Sequence, residues 1–237
     1  DRAVDRRQIL TLAGLGMAVA AAGAVTGAAP AVAADHGKKT ALTPDQALAA
    51  LKEGNKRYVS QPQLCTLDLA KHRHGVAGHQ APWATIIGCA DSRVPPELLF
   101  GGLGVGELFV ARNAGNLIDT AVVGTVEYGA AVLGAPLIVV LGHQRCGAVS
   151  AACDVVAKSA TFPGSIGTMI EPILPAAIAV RGQSGDFVDN TIRESAKRTA
   201  RRLTEVSSVL AELVKAGKLK IVAASYSLEN GSVDYLT

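Results

Sequence analysis

The chain has 237 residues, 49% of them apolar and 18% charged, with a formal net charge of +3. This balance excludes a disordered chain and a general polyanion-binding surface, and it suffices for one domain with a packed core. Aromatic residues make up only 4%, so that core has to be built from Ala, Val, Leu and Ile.

A leader-like segment comes first. Arg6 and Arg7 stand just ahead of residues 9–34, which carry no charge and are rich in Ala and Gly. Ala31-Val32-Ala33 has the small-x-small pattern of a signal-peptidase site. Residues 1–34 are therefore expected to be a twin-arginine export signal. Residues 35–237 are expected to be one mature domain, delivered to the periplasm, the cell wall or the extracellular side, with only transient membrane contact. An uncleaved anchor is the alternative, because residues 9–29 are just long enough to cross a bilayer. Their Gly, Ala and Thr content makes a poor span.

Thr43-Pro44-Asp45-Gln46 has the signature of a helix start. Ala47, Leu48, Leu51 and Tyr58 then recur at helical spacing, which predicts a helix to about residue 58. Residues 61–80 read as a solvated, loop-rich stretch; its His72, His74 and His79 could otherwise form a second metal site. Residues 84–88 are a short apolar run, expected to be a buried parallel strand, and residues 108–111 a second. Residues 119–133 are apolar on most faces and read as a buried helix. Residues 136–141 predict a third strand and residues 146–157 a helix. Residues 186–216 predict a long amphipathic helical region whose basic stretch, 193–202, reads as a solvated face. Residues 219–224 predict a further strand, and Asn230-Gly231 a turn into residues 233–236.

Strands that alternate with helices predict an α/β domain, a mainly parallel β-sheet flanked by helices, with an N-terminal helical arm. Functional side chains in such sheets gather at the carboxyl ends of the strands. Two strand ends carry ligand-type residues: Gly88-Cys89-Ala90-Asp91-Ser92-Arg93 and Gly142-His143-Gln144-Arg145-Cys146-Gly147. Cys89, His143 and Cys146 offer two thiolates and one imidazole, a donor set that suits Zn²⁺ with an open fourth position. Taken singly, a Cys ending an apolar strand reads as core and a His-x-x-Cys pair is weak. The pairing of two such motifs, with Asp91 and Arg93 added, makes the metal reading the stronger one. Charges at a buried strand end need partners. Asp91 and Arg93 can satisfy each other as a structural salt bridge, or the pair can pin the carboxylate so that it accepts a hydrogen bond from a zinc-bound hydroxide or occupies the fourth zinc position itself.

The chain has four cysteines, and the even count leaves two disulfides open in an exported protein. Cys153 lies seven residues after Cys146, on the same predicted helix face, and reads as buried. Cys65 falls in the loop-rich stretch.

Cys89-x-Asp91-x-Arg93 followed by His143-x-x-Cys146 resembles the β-carbonic anhydrases. Thr43-Pro44-Asp45-Gln46-Ala47 with Glu53-Gly54-Asn55-Lys56-Arg57-Tyr58 is similar to their N-terminal helix. Arg112-Asn113-Ala114-Gly115-Asn116 is similar to the segment between the ligands, and Glu127-Tyr128 also matches. The resemblance spans residues 43–235. It implies the fold of that family and one Zn²⁺ per chain on Cys89, His143 and Cys146, with Asp91 and Arg93 as a catalytic dyad. It implies reversible hydration of CO₂ to bicarbonate and a proton by a zinc-bound hydroxide. It also implies a homodimer or dimer of dimers with the site at the dimer interface, and a substrate pocket that uses Gln80, Phe109, Tyr128 and Gly147. Members with a non-catalytic bicarbonate site carry Trp three residues before the first ligand. Ile86 stands there, which implies the plant-like, constitutively open form.

The alternatives are a CS₂ or COS hydrolase on the same site, a non-catalytic exported zinc-binding protein with a closed site, and a dithiol redox protein that uses Cys89 and Cys146. The lack of a Cys-x-x-Cys pair argues against the last. The leader bears on the metal as well. The twin-arginine route carries folded proteins, so a thiolate zinc site would be filled in the reducing cytosol before export.

Overall fold

The structure, a computed structural model, describes residues 39–61 and 73–236. The expected leader, His72 and Cys65 lie outside the described residues. Among the described residues no helix is long and apolar enough to cross a membrane.

The start of α1 (Pro44–Ser60) follows from its capping pattern. The Gln46 N–H donates to Thr43 Oγ1 at 3.2 Å, and the Thr43 N–H donates to Gln46 Oε1 at 2.8 Å. Ala47, Leu51, Gly54 and Asn55 form its buried face. Gly54 is there because a Cβ would meet the Phe100 carbonyl oxygen at 1.9 Å. Phe100 closes a short helix, α2 (Pro96–Leu99), which the sequence pattern did not suggest.

The sheet holds β1 (Ala84–Cys89), β2 (Leu108–Asn113), β3 (Leu137–His143), β4 (Lys220–Tyr226) and β5 (Val233–Leu236), in the order β2-β1-β3-β4-β5. The first four run parallel, and β5 pairs antiparallel to β4 through the turn expected at Asn230-Gly231. Every residue of β1 and β3 is buried, as central parallel strands covered on both faces should be. Leu137, Val139 and Leu141 pack with Ile86 against Leu51, Leu99 and Phe100 on one face. Ile138 and Val140 pack with Ile87 against Val126, Ala196, Leu203 and Leu210 on the other. Strands β1 and β3 each run further than expected, so that Cys89 and His143 are their last residues.

Three other expectations change. Residues 119–133 form α3 (Thr120–Glu127) followed by a π-helical turn, Tyr128–Val132. This segment is not buried all round: Val126, Gly129 and Ala130 face the core, while Ala121, Gly124, Tyr128 and Ala131 are exposed. The long helical region is two helices, α7 (Phe187–Val206) and α8 (Ser208–Lys215). They break at Ser207, whose backbone is extended and whose hydroxyl accepts from the Leu210 N–H at 3.1 Å. The same hydroxyl donates to Glu127 Oε1 at 2.5 Å and so ties α3 to the break. Residues 160–185, to which no element was assigned, carry α5 (Ile166–Ile170), a 3₁₀ turn and α6 (Leu174–Val180). They pack beside α4 (Gly147–Lys158) and the strand ends in a third cluster that contains Cys89, Cys146, Ile170, Ile173 and Ala177.

The basic stretch on α7 is a solvated face, as expected. Arg193 pairs with Asp234, and Arg198 with Glu194, both at 2.7 Å.

Candidate metal centre

Adjacent parallel strands end side by side, and this places the ligand-type residues. In the β1–β3 ladder Gly88 lies opposite Leu141, so the last residue of β1 and the first residues beyond it meet the end of β3. Cys89 closes β1, His143 closes β3, and Cys146 caps α4 after a two-residue turn. Their ligand atoms all lie within 4.8 Å of one another, and the two sulfurs are 3.9 Å apart. All three side chains are buried, His143 completely. Cys153 is buried too, but its thiol donates to Thr191 Oγ1 at 3.3 Å and takes no part in the cluster. His74 and His79 are exposed, and among the described residues no second cluster of metal-ligand side chains forms.

The donor chemistry fits a cation. His143 Nδ1 lies 2.9 Å from the Gln144 carbonyl oxygen, which can only accept, so Nδ1 carries the proton and Nε2 presents its lone pair. Nε2 is buried with no partner among the described residues. An orphaned buried acceptor beside two thiols is costly unless something positive lies between them. The thiols show the same need. The Cys146 thiol's hydrogen bond holds Cys89 well below the ordinary thiol range; burial opposes this, and the Gly115 N–H helps it. That same bond, with burial and the Cys89 charge, pushes Cys146 up. A divalent cation is what allows both to be thiolates.

Asp91 stands beside this cluster, with Oδ2 4.0 Å from His143 Nε2. Arg93 grips it with both nitrogens, Nε to Oδ1 at 2.9 Å and Nη2 to Oδ2 at 2.7 Å. The Arg93 guanidinium holds the Asp91 carboxyl well below the usual carboxylate range. The pair is less buried than a strand-end salt bridge was expected to be: the Asp91 side chain is 17% exposed and that of Arg93 51%.

Arg112 lies in one of the family-like motifs, but the sequence assigns it no task. Its Nε donates to the Cys89 carbonyl at 2.8 Å and its Nη2 to the Asp91 carbonyl at 2.6 Å. It therefore fixes the backbone between ligand and carboxylate. Asn113 closes the next loop on Leu117, donating to its carbonyl at 2.8 Å and accepting from its N–H at 2.7 Å. Gly115 in that loop has φ +86 and aims its N–H at Cys89 Sγ, 3.4 Å away. Partners that are backbone carbonyls leave no sequence signature; a basic residue one position before Asn-x-Gly was the only signal available.

The expected pocket residues are not all gathered. Gly147 follows Cys146 directly at the start of α4. Gln80 is exposed ahead of β1. Phe109 lies opposite Thr85, whereas Asn113 lies opposite Cys89. At the rise of a parallel strand, four residues put Phe109 about 13 Å back along the sheet from the ligand level. Tyr128 sits with it, ring centroids 6.2 Å apart. Within one protomer Phe109 and Tyr128 form a pair of their own, away from the sulfurs.

A family model for carbonic anhydrase matches residues 84–233. The chain belongs to the carbonic anhydrase family, in its β class. It is 41% identical over 189 residues to carbonic anhydrase 2 of Mycobacterium tuberculosis, covering 79% of this chain and 90% of that protein. Its identity to a carbonic anhydrase of Mycolicibacterium smegmatis is 37% over 191 residues, with 81% and 92% covered. The fold is similar to a Coccomyxa β-carbonic anhydrase solved with acetazolamide, with a TM-score of 0.63 and 28% identity over 80% of this chain and 86% of that one. The family match spans β1 to the first residue of β5, and both ligand motifs fall inside it.

Proposed function

We propose that this chain catalyses the reversible hydration of CO₂ to bicarbonate and a proton, with one Zn²⁺ held by Cys89, His143 and Cys146. The observation that carries this reading is the buried cluster of two thiols and an imidazole nitrogen that has no partner among the described residues, with the Asp91–Arg93 pair at its edge. When bound, Zn²⁺ lowers the pKa of a coordinated water towards about 7 and so supplies a nucleophile at neutral pH.

The chain's own residues do the rest. Asp91 is ionised, and both of its oxygens are engaged by Arg93, so it is placed to accept a hydrogen bond from the attacking water and orient it. Its engagement also favours a resting site with an open fourth position. Among the described residues no further Cys, His, Asp or Glu joins the cluster. Arg112 and Gly115 hold the Cys89 end rigid.

We further read the molecule as a homodimer or dimer of dimers. The exposed apolar face of α3 and its π turn supports a second copy as its cover, and so does the distance of Phe109 and Tyr128 from their own cluster. In such a dimer these two, with Gln80, would wall the partner's site. Arg6-Arg7, the uncharged residues 9–34 and Ala31-Val32-Ala33 support export by the twin-arginine route.

Metal analysis and stopped-flow CO₂ hydration on the purified chain test the reading together. About one zinc per chain with pH-dependent hydration is expected. Zinc without hydration, or turnover of CS₂ or COS but not CO₂, would sink it.

A further inference from the structure

Only Gln144 and Arg145 separate His143 from Cys146, and three links reach these two residues from one place. The Gln144 N–H donates to the Tyr226 carbonyl at 2.9 Å. The Ser227 hydroxyl donates to Gln144 Oε1 at 3.0 Å. The Arg145 guanidinium donates to the Glu229 carboxylate. Tyr226, Ser227 and Glu229 all belong to the end of β4 and the turn that follows it.

The tethered residues are the ones whose backbone sets the ligand geometry. The Gln144 carbonyl accepts from His143 Nδ1 and so orients the ring. Arg145 has φ +54, a left-handed conformation that a residue with a Cβ disfavours. This reversal brings Cys146 back towards His143. An exposed ion pair such as Arg145–Glu229, with both side chains over half exposed, contributes little to folding. Stability therefore does not account for it.

The turn is stiff enough to act as an anchor. The Ser227 N–H donates to the Ser232 carbonyl at 2.9 Å and the Gly231 N–H to the Ser227 carbonyl at 3.0 Å. Asn230 Oδ1 accepts from both the Ser232 N–H and its hydroxyl. Asn55, buried on α1, clamps the turn from behind. Its Nδ2 donates to the Gly231 carbonyl and its Oδ1 accepts from the Val233 N–H, both at 2.9 Å. Hydrogen bonds thus run unbroken from α1 through the turn to a ligand imidazole.

We propose that residues 227–232 are a positioning device for the metal centre, in which Ser227 and Glu229 act through Gln144 and Arg145 to hold His143 and Cys146 in ligating geometry. The proposal rests on the metal reading of Cys89, His143 and Cys146. Ser227 and Glu229 touch neither ligand nor reacting atoms; they are positioning residues.

The test uses the full-length zinc-loaded chain and the variants Ser227→Ala, Glu229→Gln and their double. The readouts are far-UV circular dichroism, the rate of zinc release to a chelator, and the visible d–d bands of the Co²⁺-substituted protein. Removing partners that orient metal ligands weakens metal sites by about ten-fold or more. The double variant is therefore expected to keep its circular dichroism, release zinc about ten-fold faster and show shifted cobalt bands. Ser227→Thr, which keeps the hydroxyl, should behave as the parent. Lys158→Gln, which breaks an exposed ion pair to Asp154 elsewhere, should change none of the three. Parental release rates and cobalt bands in the double variant would overturn the proposal. Loss of the native circular dichroism in both single variants would do so too, because the turn would then be a folding element. Failure of the parent to take up zinc would instead bring down the metal reading itself.

Discussion

Cys89 Sγ lies 3.9 Å from Cys146 Sγ, although the two stand 57 positions apart in the chain. A disulfide would bring the sulfurs to about 2.05 Å, and both cysteines are free. The spacing instead leaves room for an ion that both sulfurs can touch, with His143 Nε2 as the third donor.

Replacing one donor should therefore empty the site. In Cys89→Ser a neutral hydroxyl takes the place of a thiolate, and the remaining two ligands hold zinc poorly. Zinc content after dialysis is expected to fall below about a tenth of the parent's, because ligand charge and number set affinity. CO₂ hydration should fall to background. Atomic absorption and stopped-flow assays check this, and a variant that keeps full zinc and full activity would remove Cys89 from the site.

The Asp91–Arg93 pair makes a prediction about pH. The folded-state pKa of Asp91 is depressed by Arg93. A carboxyl of this kind contributes stability above its unfolded value of about 3.9 and loses it as the pH falls through the lower folded value. Between pH 6 and 9 Asp91 is therefore ionised in the parent. It stays so in Arg93→Met, where its pKa returns only towards the ordinary value. The variant should lose about ten-fold in kcat because the carboxylate is no longer held in place. The midpoint of its pH–rate profile should stay where it was. A midpoint displaced by a full pH unit would mean that Asp91 itself titrates in that range.

Assembly can be tested at Gly124. This residue is exposed on α3, and a Cβ there would meet no atom of the described residues beyond its own helix within 4 Å. A protomer alone accommodates Gly124→Arg, whereas a copy packed on this helix does not. The variant is expected to elute at half or a quarter of the parent's mass in light scattering, with unchanged circular dichroism. Hydration should also fall if Phe109 and Tyr128 wall the partner's site. A parent that is already monomeric, or a variant of unchanged mass, would take this helix out of the interface.

Much of this was legible in the sequence because its signals are local. The capping residues Thr43 and Gln46, the apolar runs that end at Gly88 and Gly142, and the ligand types just beyond them carry their meaning within a few positions. What escaped depends on distant partners. Arg112 acts on the backbone of residues 89 and 91, and nothing nearby marks that. The break at Ser207 sits inside a continuous amphipathic pattern, where a serine hydroxyl caps one helix and reaches Glu127 on another. Between residues 160 and 185, Gly164, Gly167, Pro172, Pro175 and Gly182 interrupt the periodicity, so helices held mainly by packing of Ile170, Ile173 and Ala177 left no clear pattern. The apolar composition of the α3 segment by itself suggests burial on all sides. That composition describes a surface which one protomer alone leaves partly open.

Gly54 separates helix propensity from packing. In the interior of an exposed helix, Gly→Ala gains about 1 kcal/mol. At residue 54 a Cβ would stand 1.9 Å from the Phe100 carbonyl oxygen. That oxygen belongs to backbone, not to a flexible side chain, so α1 or the end of α2 would have to move. Forced overpacking of this kind costs about 1–3 kcal/mol, occasionally more. The steric cost should outweigh the propensity gain, since displacing α1 also disturbs Leu51 in the core and the Asn55 clamp on the β4–β5 turn. Gly54→Ala is expected to lower the thermal midpoint by about 5 °C, given 2–4 °C per kcal/mol for a domain of roughly 200 residues. Its zinc release should also quicken, because the clamp leads to the ligand turn. Calorimetry and chelator kinetics on the same sample read both effects. A variant more stable than the parent would show that α1 is free to withdraw from Phe100.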